Sequence, residues 1–173
     1  MNPSARPTAD DAASYYFTYI DRVPDGDVLA QLESGLGATR DLLDGISPGR
    51  EGYRYAPDKW TVLDVIGHLV DTERVFGYRA FHIGRGDGAP LPGMEQDDYA
   101  RNAGAERRRL HDLLDELEHL RRGHLRLFES FDDAAWDRCG LASGFRFRVS
   151  AIPWIMAGHE IHHRDVLSER YLS

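Results

Sequence analysis

His159 and His163 stand four residues apart in the run Gly158-His159-Glu160-Ile161-His162-His163-Arg164-Asp165. On a helix that spacing brings both imidazoles to one face, one turn apart, where together they can hold a metal ion. His68 lies far upstream, amid Val65, Ile66, Leu69 and Val70, in a second stretch of helical periodicity. Neutral imidazole is a ligand for zinc, nickel, cobalt or ferrous iron, and three such ligands leave positions open for water. An open position separates a catalytic centre from a purely structural one. A divalent ion there lowers the pKa of bound water toward neutrality, or binds and ionises a thiol. Either route supplies a nucleophile at pH 7 without a covalent protein intermediate.

Helix phase, at about 100° per residue, decides which of these side chains face inward. With His159 at zero, Ile152, Ile155, Met156, His163 and Val166 fall within about 60° of it. His162 falls at the margin of that stripe and is a weaker ligand candidate than His163. Around His68, the residues Val65, Thr72, Val75 and Arg79 share one face, so His68 is inward as well. Asp64 and Asp71 flank it about one turn before and after, and either could accept the free imidazole N–H or act as a general base.

Glu160 is the third nominee for a catalytic carboxylate, because His159-Glu160-Ile161-His162-His163 spells the zincin motif in which that Glu reaches the catalytic water. Phase turns Glu160 away from the histidine pair, however. Zincins also draw a third ligand from downstream, and only ten residues follow His163, none of them His or Cys. Glu169 is the one carboxylate there that is not adjacent. A di-iron bundle would need Glu160 with His163 and Glu116 with His119, but Glu116 and His119 lie about 100° or more from the leucine stripe of their own helix. A lone His in an apolar stripe is usually a hydrogen-bonded core residue, and His82 and His124 are read that way. The metal reading rests on His68, His159 and His163 jointly.

Four amphipathic stretches must position these residues. Asp25 to Gly45 carries Val28, Leu29, Leu32, Leu36, Leu42 and Leu43 at helical intervals. Thr61 opens the helix of His68, which runs to about Ile83; its hydroxyl can cap the Asp64 amide, and the Asp64 carboxylate suits the positive end of the helix dipole. Residues 84–93 hold four glycines and two prolines, so the chain leaves helix there and offers a wall for a bundle-end pocket. A third helix spans about Ala105 to Phe131, with Leu110, Leu113, Leu114, Leu117, Leu120, Leu127 and Phe128 on one side and a charged, solvated face opposite. Between Asp132 and Val149 the alternation Phe145-Arg146-Phe147-Arg148-Val149 suggests a short extended piece. Ser150 then caps the last helix, where Pro153 is tolerable because first-turn amides lack an intrahelical acceptor. The pattern predicts an all-α four-helix bundle over residues 25–173, preceded by an N-terminal extension over 1–24.

Composition narrows the function classes. Lys plus Arg total 21 against 29 Asp plus Glu, a formal charge of −8 that opposes a nucleic-acid partner. The single Cys139 rules out an internal disulfide and sits far from any His in sequence, so it is not read as a nucleophile. Arg107, Arg108 and Arg109, near Arg101, read as a solvated helix start. Trp60, Trp136 and Trp154 read as core or pocket-wall aromatics. Met1 to Asp10 lack the features of a signal peptide and no apolar run is long enough to span a bilayer, which predicts a cytoplasmic protein with no membrane partner.

Two of these segments carry a family resemblance. Lys59-Trp60-Thr61 leading into Asp64, Val65, Ile66, Gly67, His68, Leu69, Asp71, Glu73 and Arg74 resembles the second helix of the DinB/YfiT-like superfamily. Pro153-Trp154-Ile155-Met156-Ala157-Gly158-His159-Glu160-Ile161-His162-His163, followed by Val166, Leu167, Arg170 and Tyr171, resembles its last helix, and DinB_2 is the branch it is most similar to. The resemblance covers roughly residues 25–173. It implies a four-helix bundle with a long crossover connection, often a homodimer, and a metal, usually zinc or nickel, on histidines matching His68, His159 and His163. It also implies a metal-dependent hydrolase, a thiol S-transferase using bacillithiol, or a mycothiol-dependent isomerase, and no DNA binding. The expected function is a metal-dependent enzyme that activates a low-molecular-weight thiol or water for attack on an electrophilic small molecule. The alternative is a non-catalytic bundle, metal-stabilised or metal-free, acting as a binding or dimerisation module.

Overall fold

Seven helices and one small hairpin form in a computed structural model that describes residues 5–47 and 49–172. In chain order they are α1 (Phe17–Ile20), α2 (Val28–Asp44), α3 (Val62–Gly84), α4 (Gln96–Ala103), α5 (Leu110–Glu129), α6 (Asp133–Asp137), β1 (Cys139–Ala142), β2 (Phe145–Arg148) and α7 (Ile152–Arg170). The four long helices, α2, α3, α5 and α7, are the ones whose apolar residues recur at helical spacing. Two of them start at side-chain caps. Asp27 caps α2 by accepting the Leu29 and Ala30 amides, and Thr61 and Asp64 form a reciprocal capping box at α3. At α7 the expected Ser150 cap is replaced: Val149–Ala151 forms a 3-10 turn that feeds into the helix, and Ala151 is the N-cap.

In cross-section α3 packs on α5 and α7, and α2 packs on the same two helices from the other side. Helices α2 and α3 therefore face each other diagonally, and residues 45–61 make the crossover between them. The all-α four-helix bundle expected from the sequence is the fold observed. The structure adds three features. A helix, α4, fills part of the α3–α5 connection and ends on Gly104 in the left-handed region. The extended piece around Phe145 is the second strand of an antiparallel hairpin pairing Ala142 with Phe145 and Cys139 with Arg148. Finally, residues 5–24, read as an extension, are packed into the bundle: Ala12, Ile20 and Val23 are buried in one core cluster with Trp154 and Ile155. Arg6 holds this segment by donating to the Ile20 and Val23 carbonyls at 2.9 and 2.6 Å while its guanidinium lies over Trp154. Residues 1–4 of that extension lie outside the described residues.

The core is split in two along the bundle. One apolar cluster gathers Val28, Leu32, Phe76, Ile83, Phe128, Trp154 and Ile155; the other gathers Leu43, Val65, Ile66, Leu113, Leu117 and Leu167. Burial of a large apolar side chain stabilises by about 1.5–3 kcal/mol, so these two ends hold the fold. Between them runs a layer of buried polar side chains that includes Thr39, Thr72, Glu73, Arg121, His159 and Glu160.

Candidate metal centre

Helices α3 and α7 pack together and bring His68, His159 and His163 to one point in that layer. The Nε2 atoms of His68 and His163 each lie 3.1 Å from Nε2 of His159, and one ligand atom from each ring falls within 4.8 Å of the others. An imidazole nitrogen carries either one proton or one lone pair in the ring plane. His159 Nε2 therefore cannot satisfy both neighbours with linear hydrogen bonds, whereas three lone pairs aimed at one point suit a cation. Two nitrogens bound at 2.0–2.1 Å to a tetrahedral ion stand about 3.3 Å apart, close to the spacing found.

Electrostatics favour the same state. Burial, reinforced by the neighbouring His162, pushes His68 down to about 4. Burial, with His68 and His162 nearby, pushes His163 down to about 3. His159 is pushed well below the usual imidazole value by burial and then by His163, His68, His162 and Arg121. All three are thus neutral near pH 7, the protonation state that ligates metal. On the far side of the rings, the Nδ1 atoms of His68 and His163 are buried and have no hydrogen-bond partner among the described residues. Three neutral imidazoles stabilised by no carboxylate form a poor core by themselves, and the donor set fits a borderline divalent ion.

The surroundings come from three directions. Trp60 lies against His68 with ring centroids 4.8 Å apart, and its carbonyl accepts the Tyr171 hydroxyl at 2.7 Å. Tyr19, from α1, meets His159 edge-on at 5.1 Å and His162 at 5.6 Å. That approach needs Gly158, where a Cβ would stand 2.0 Å from the Tyr19 carbonyl oxygen. A cavity of about 310 Å3 opens beside His68 and His159, walled by Tyr15, Tyr16, Tyr19, Phe76, Arg79 and residues 94–96. A larger open groove of about 970 Å3 runs between α2 and α5, but no histidine is among the described residues that line it.

The carboxylates nominated from the sequence lie elsewhere. Asp64 is engaged in the capping box, accepting the Thr61 amide at 2.9 Å and hydroxyl at 2.8 Å. Asp71 pairs with Arg74 at 3.4 Å, and burial raises its carboxyl despite that arginine. Neither reaches the free Nδ1 of His68. Glu160 is buried and turned from the triad, accepting Thr39 Oγ1 at 2.5 Å and Arg121 Nη1 at 2.9 Å. Arg121 also donates from Nε and Nη2 to the two oxygens of Glu73, each at 2.9 Å, and from Nη1 to the Leu32 carbonyl at 2.7 Å. Burial alone would raise the Glu73 carboxyl, but Arg121 and His124 outweigh it and hold it low. Of the other histidines, His124 bonds Glu73 at 3.0 Å, His82 bonds the Ala89 carbonyl at 2.9 Å, and His119 is exposed on α5 beside the Asp115 carbonyl. The arginine cluster is spent on surface ion pairs, among them Arg108 with Glu116 and Arg109 with Asp112.

Sequence reasoning missed the tyrosines of the cavity wall and the Arg121 cluster. Nothing local marks Tyr15, Tyr16 or Tyr19, since α1 is four residues long. Arg121 did carry a signal: it stands four residues after Leu117 and seven before Phe128, inside the leucine stripe. The pocket wall expected from residues 84–93 is supplied by Met94, Glu95 and Gln96 just beyond.

The sequence pattern of the DinB superfamily, in its DinB_2 form, matches residues 31–167. No curated protein matches the chain. Among solved structures the chain is similar to YfiT from Bacillus subtilis, described as a probable metal-dependent hydrolase with an unusual four-helix bundle topology. The two agree with a TM-score of 0.73 at 15% identity over 98% of this chain and 95% of that one. At that identity the likeness establishes the fold.

Proposed function

This chain belongs to the DinB superfamily, and we propose that it is a metal-dependent enzyme whose divalent ion, zinc or nickel, is held by His68, His159 and His163. The observation that carries this reading is the meeting of three Nε2 atoms, all on neutral rings, beside a cavity. When bound, the ion would supply Lewis acidity sufficient to ionise water or a low-molecular-weight thiol such as bacillithiol near neutral pH.

The protein's own residues do the rest. Trp60, from the connection before α3, packs on His68, and Tyr19, from α1, packs on His159, and both restrict the rotation of the imidazoles beside the cavity. Tyr15, Tyr16 and Phe76 give that cavity aromatic walls against which an electrophilic small molecule would pack. No general base is assigned to Asp64, Asp71 or Glu160, because each is committed to another partner. The adjoining cavity supports catalysis over a bundle that holds metal only for stability.

Elemental analysis of the purified protein tests the centre. One equivalent of metal is expected, falling to background in His68→Ala, His159→Ala and His163→Ala while the helical circular dichroism persists. Full metal content in all three variants would overturn the reading. A thiol-dependence assay on a model electrophile then separates the two chemistries: a thiol adduct marks an S-transferase, and thiol-independent ester or amide cleavage marks a hydrolase.

A further inference from the structure

Two arginines are buried among the described residues, and only one of them meets a carboxylate. Arg121, 2% exposed, meets both oxygens of Glu73 and one of Glu160. Arg79, 4% exposed, has no carboxylate within ion-pair distance among the described residues. Its Nη2 donates to Ser143 Oγ at 2.7 Å, and its guanidinium lies over the rings of Phe76 and Phe147 at 5.1 and 5.3 Å. The Tyr16 hydroxyl, raised by burial, faces the same guanidinium. A guanidinium has five N–H donors and keeps its charge throughout the physiological range. The Ser143 and Tyr16 hydroxyls and two ring faces surround it, yet no carboxylate offsets its charge among the described residues.

Arg79 lies on the His68 face of α3, eleven residues on, about 16 Å along the helix axis. Side chains on a helix lean toward its N-terminus, so the guanidinium reaches back toward His68. Arg79, Phe76, Thr72 and His68 line the same cavity of about 310 Å3. We infer that Arg79 anchors the carboxylate of an elongated small-molecule substrate whose other end lies at His68 and His159. A planar guanidinium pairs with a carboxylate in a bidentate fork and neutralises it one to one. A phosphate dianion would leave a net negative charge in a partly apolar cavity that also has Glu95 at its lining. Placing the reacting end at the histidines rests on the metal-centre reading above; the anchor stands on a buried guanidinium that meets no carboxylate among the described residues and on the cavity it lines.

Calorimetric titration of the zinc-loaded protein with phenylacetate, phenylbutyrate and phenylhexanoate, each against its primary amide, tests this. At least one acid is expected to bind about tenfold or more tighter than its amide, the margin a charge-assisted hydrogen-bond pair provides. That margin disappears in Arg79→Gln, survives in part in Arg79→Lys, and persists in His68→Ala. Equal affinity of acid and amide in the wild-type protein, or binding by no acid in the series, overturns the proposal without requiring any variant to fold. An undiminished margin in Arg79→Gln does so too, as does displacement of the acid more readily by inorganic phosphate than by acetate. Loss of metal in His68→Ala with the margin kept supports both readings. Metal kept in that variant and likewise in His159→Ala and His163→Ala removes the metal centre and leaves the anchor.

Discussion

Two polar clusters lie next to each other in the middle of this bundle, and they share a helix. His159 and Glu160 are consecutive on α7 and both buried, yet one turns toward α3 and the other toward α2 and α5. The cluster around Glu160 is complete. Arg121 and, at 3.7 Å from Glu160, Arg164 set two cations against Glu73 and Glu160, and Thr39 and His124 complete the hydrogen bonding. The cluster around His159 consists of like groups, with crowded Nε2 atoms, unpartnered Nδ1 atoms on His68 and His163, and no carboxylate paired with the three rings among the described residues. Buried polar groups are nearly always satisfied. The difference therefore separates a network that organises the fold from a donor set made to receive something from outside.

The largest effect expected comes from breaking the complete cluster. Arg121→Met leaves Glu73 buried without its arginine and Glu160 with Arg164 alone at 3.7 Å, and should lower unfolding free energy by about 3–5 kcal/mol in urea titration. Replacing Arg121, Glu73 and Glu160 together by apolar residues should recover most of that loss and leave metal content intact. A triple variant that loses its metal would show the two clusters to be one unit.

Acid should act on the other cluster. In the unfolded chain these imidazoles take up protons near 6.5, but in the folded metal-free protein His68 does so only near 4 and His163 near 3. The unfolded state binds more protons across that interval, so stability is fully present above about pH 6.5 and declines as the pH falls toward 4. The groups facing these rings are one another, His162 and, for His159, Arg121, none of which stabilises a proton there. His68 alone accounts for a loss on the order of 3 kcal/mol. His68→Ala should flatten that part of the pH profile in equilibrium unfolding, and an unchanged profile would count against the buried neutral triad.

Zinc sharpens the contrast from the opposite direction. At a hundredfold excess over its Kd, zinc should stabilise the protein by about 2.7 kcal/mol in a thermal or urea melt. His159→Ala should abolish that gain, whereas Thr39→Val, which touches only the Glu160 side, should keep it. The smallest effect belongs to Asp64→Ala. Loss of the capping box should cost about 1 kcal/mol of stability with metal content unchanged; a fall in metal content would instead give Asp64 a role at His68.

The four long helices and the inward phase of the histidines were legible because both are periodic. Leu113, Leu117 and Phe128 recur at the helical interval, and so do His159 and His163. The Thr61–Asp64 box was legible for the same reason: its partners are three residues apart. Helix α4 was not, since Ala100 is its one buried residue and no apolar stripe announces it. The hairpin was seen only in part, because β1, Cys139-Gly140-Leu141-Ala142, lacks the alternation of β2. Asp64 and Asp71 were plausible supports for His68 by spacing alone, but one is spent on the cap and the other on Arg74.

What the sequence determined by itself, then, is which residues share a helix face: His68 with Thr72 and Arg79, and His159 with His163. Such faces follow from 3.6 residues per turn and need no knowledge of what lies opposite. Only the tertiary structure decided what the faces meet. It set His68 against His159 across 91 residues of chain, Arg121 against Glu160 across 39, and Arg79 against Ser143 across 64. It also brought Tyr19 over the triad through the gap left by Gly158. These pairings depend on how apolar stripes from separate helices pack, and packing is non-directional and shared by many residues. The identity of each buried polar partner is therefore written in no single stretch of the chain.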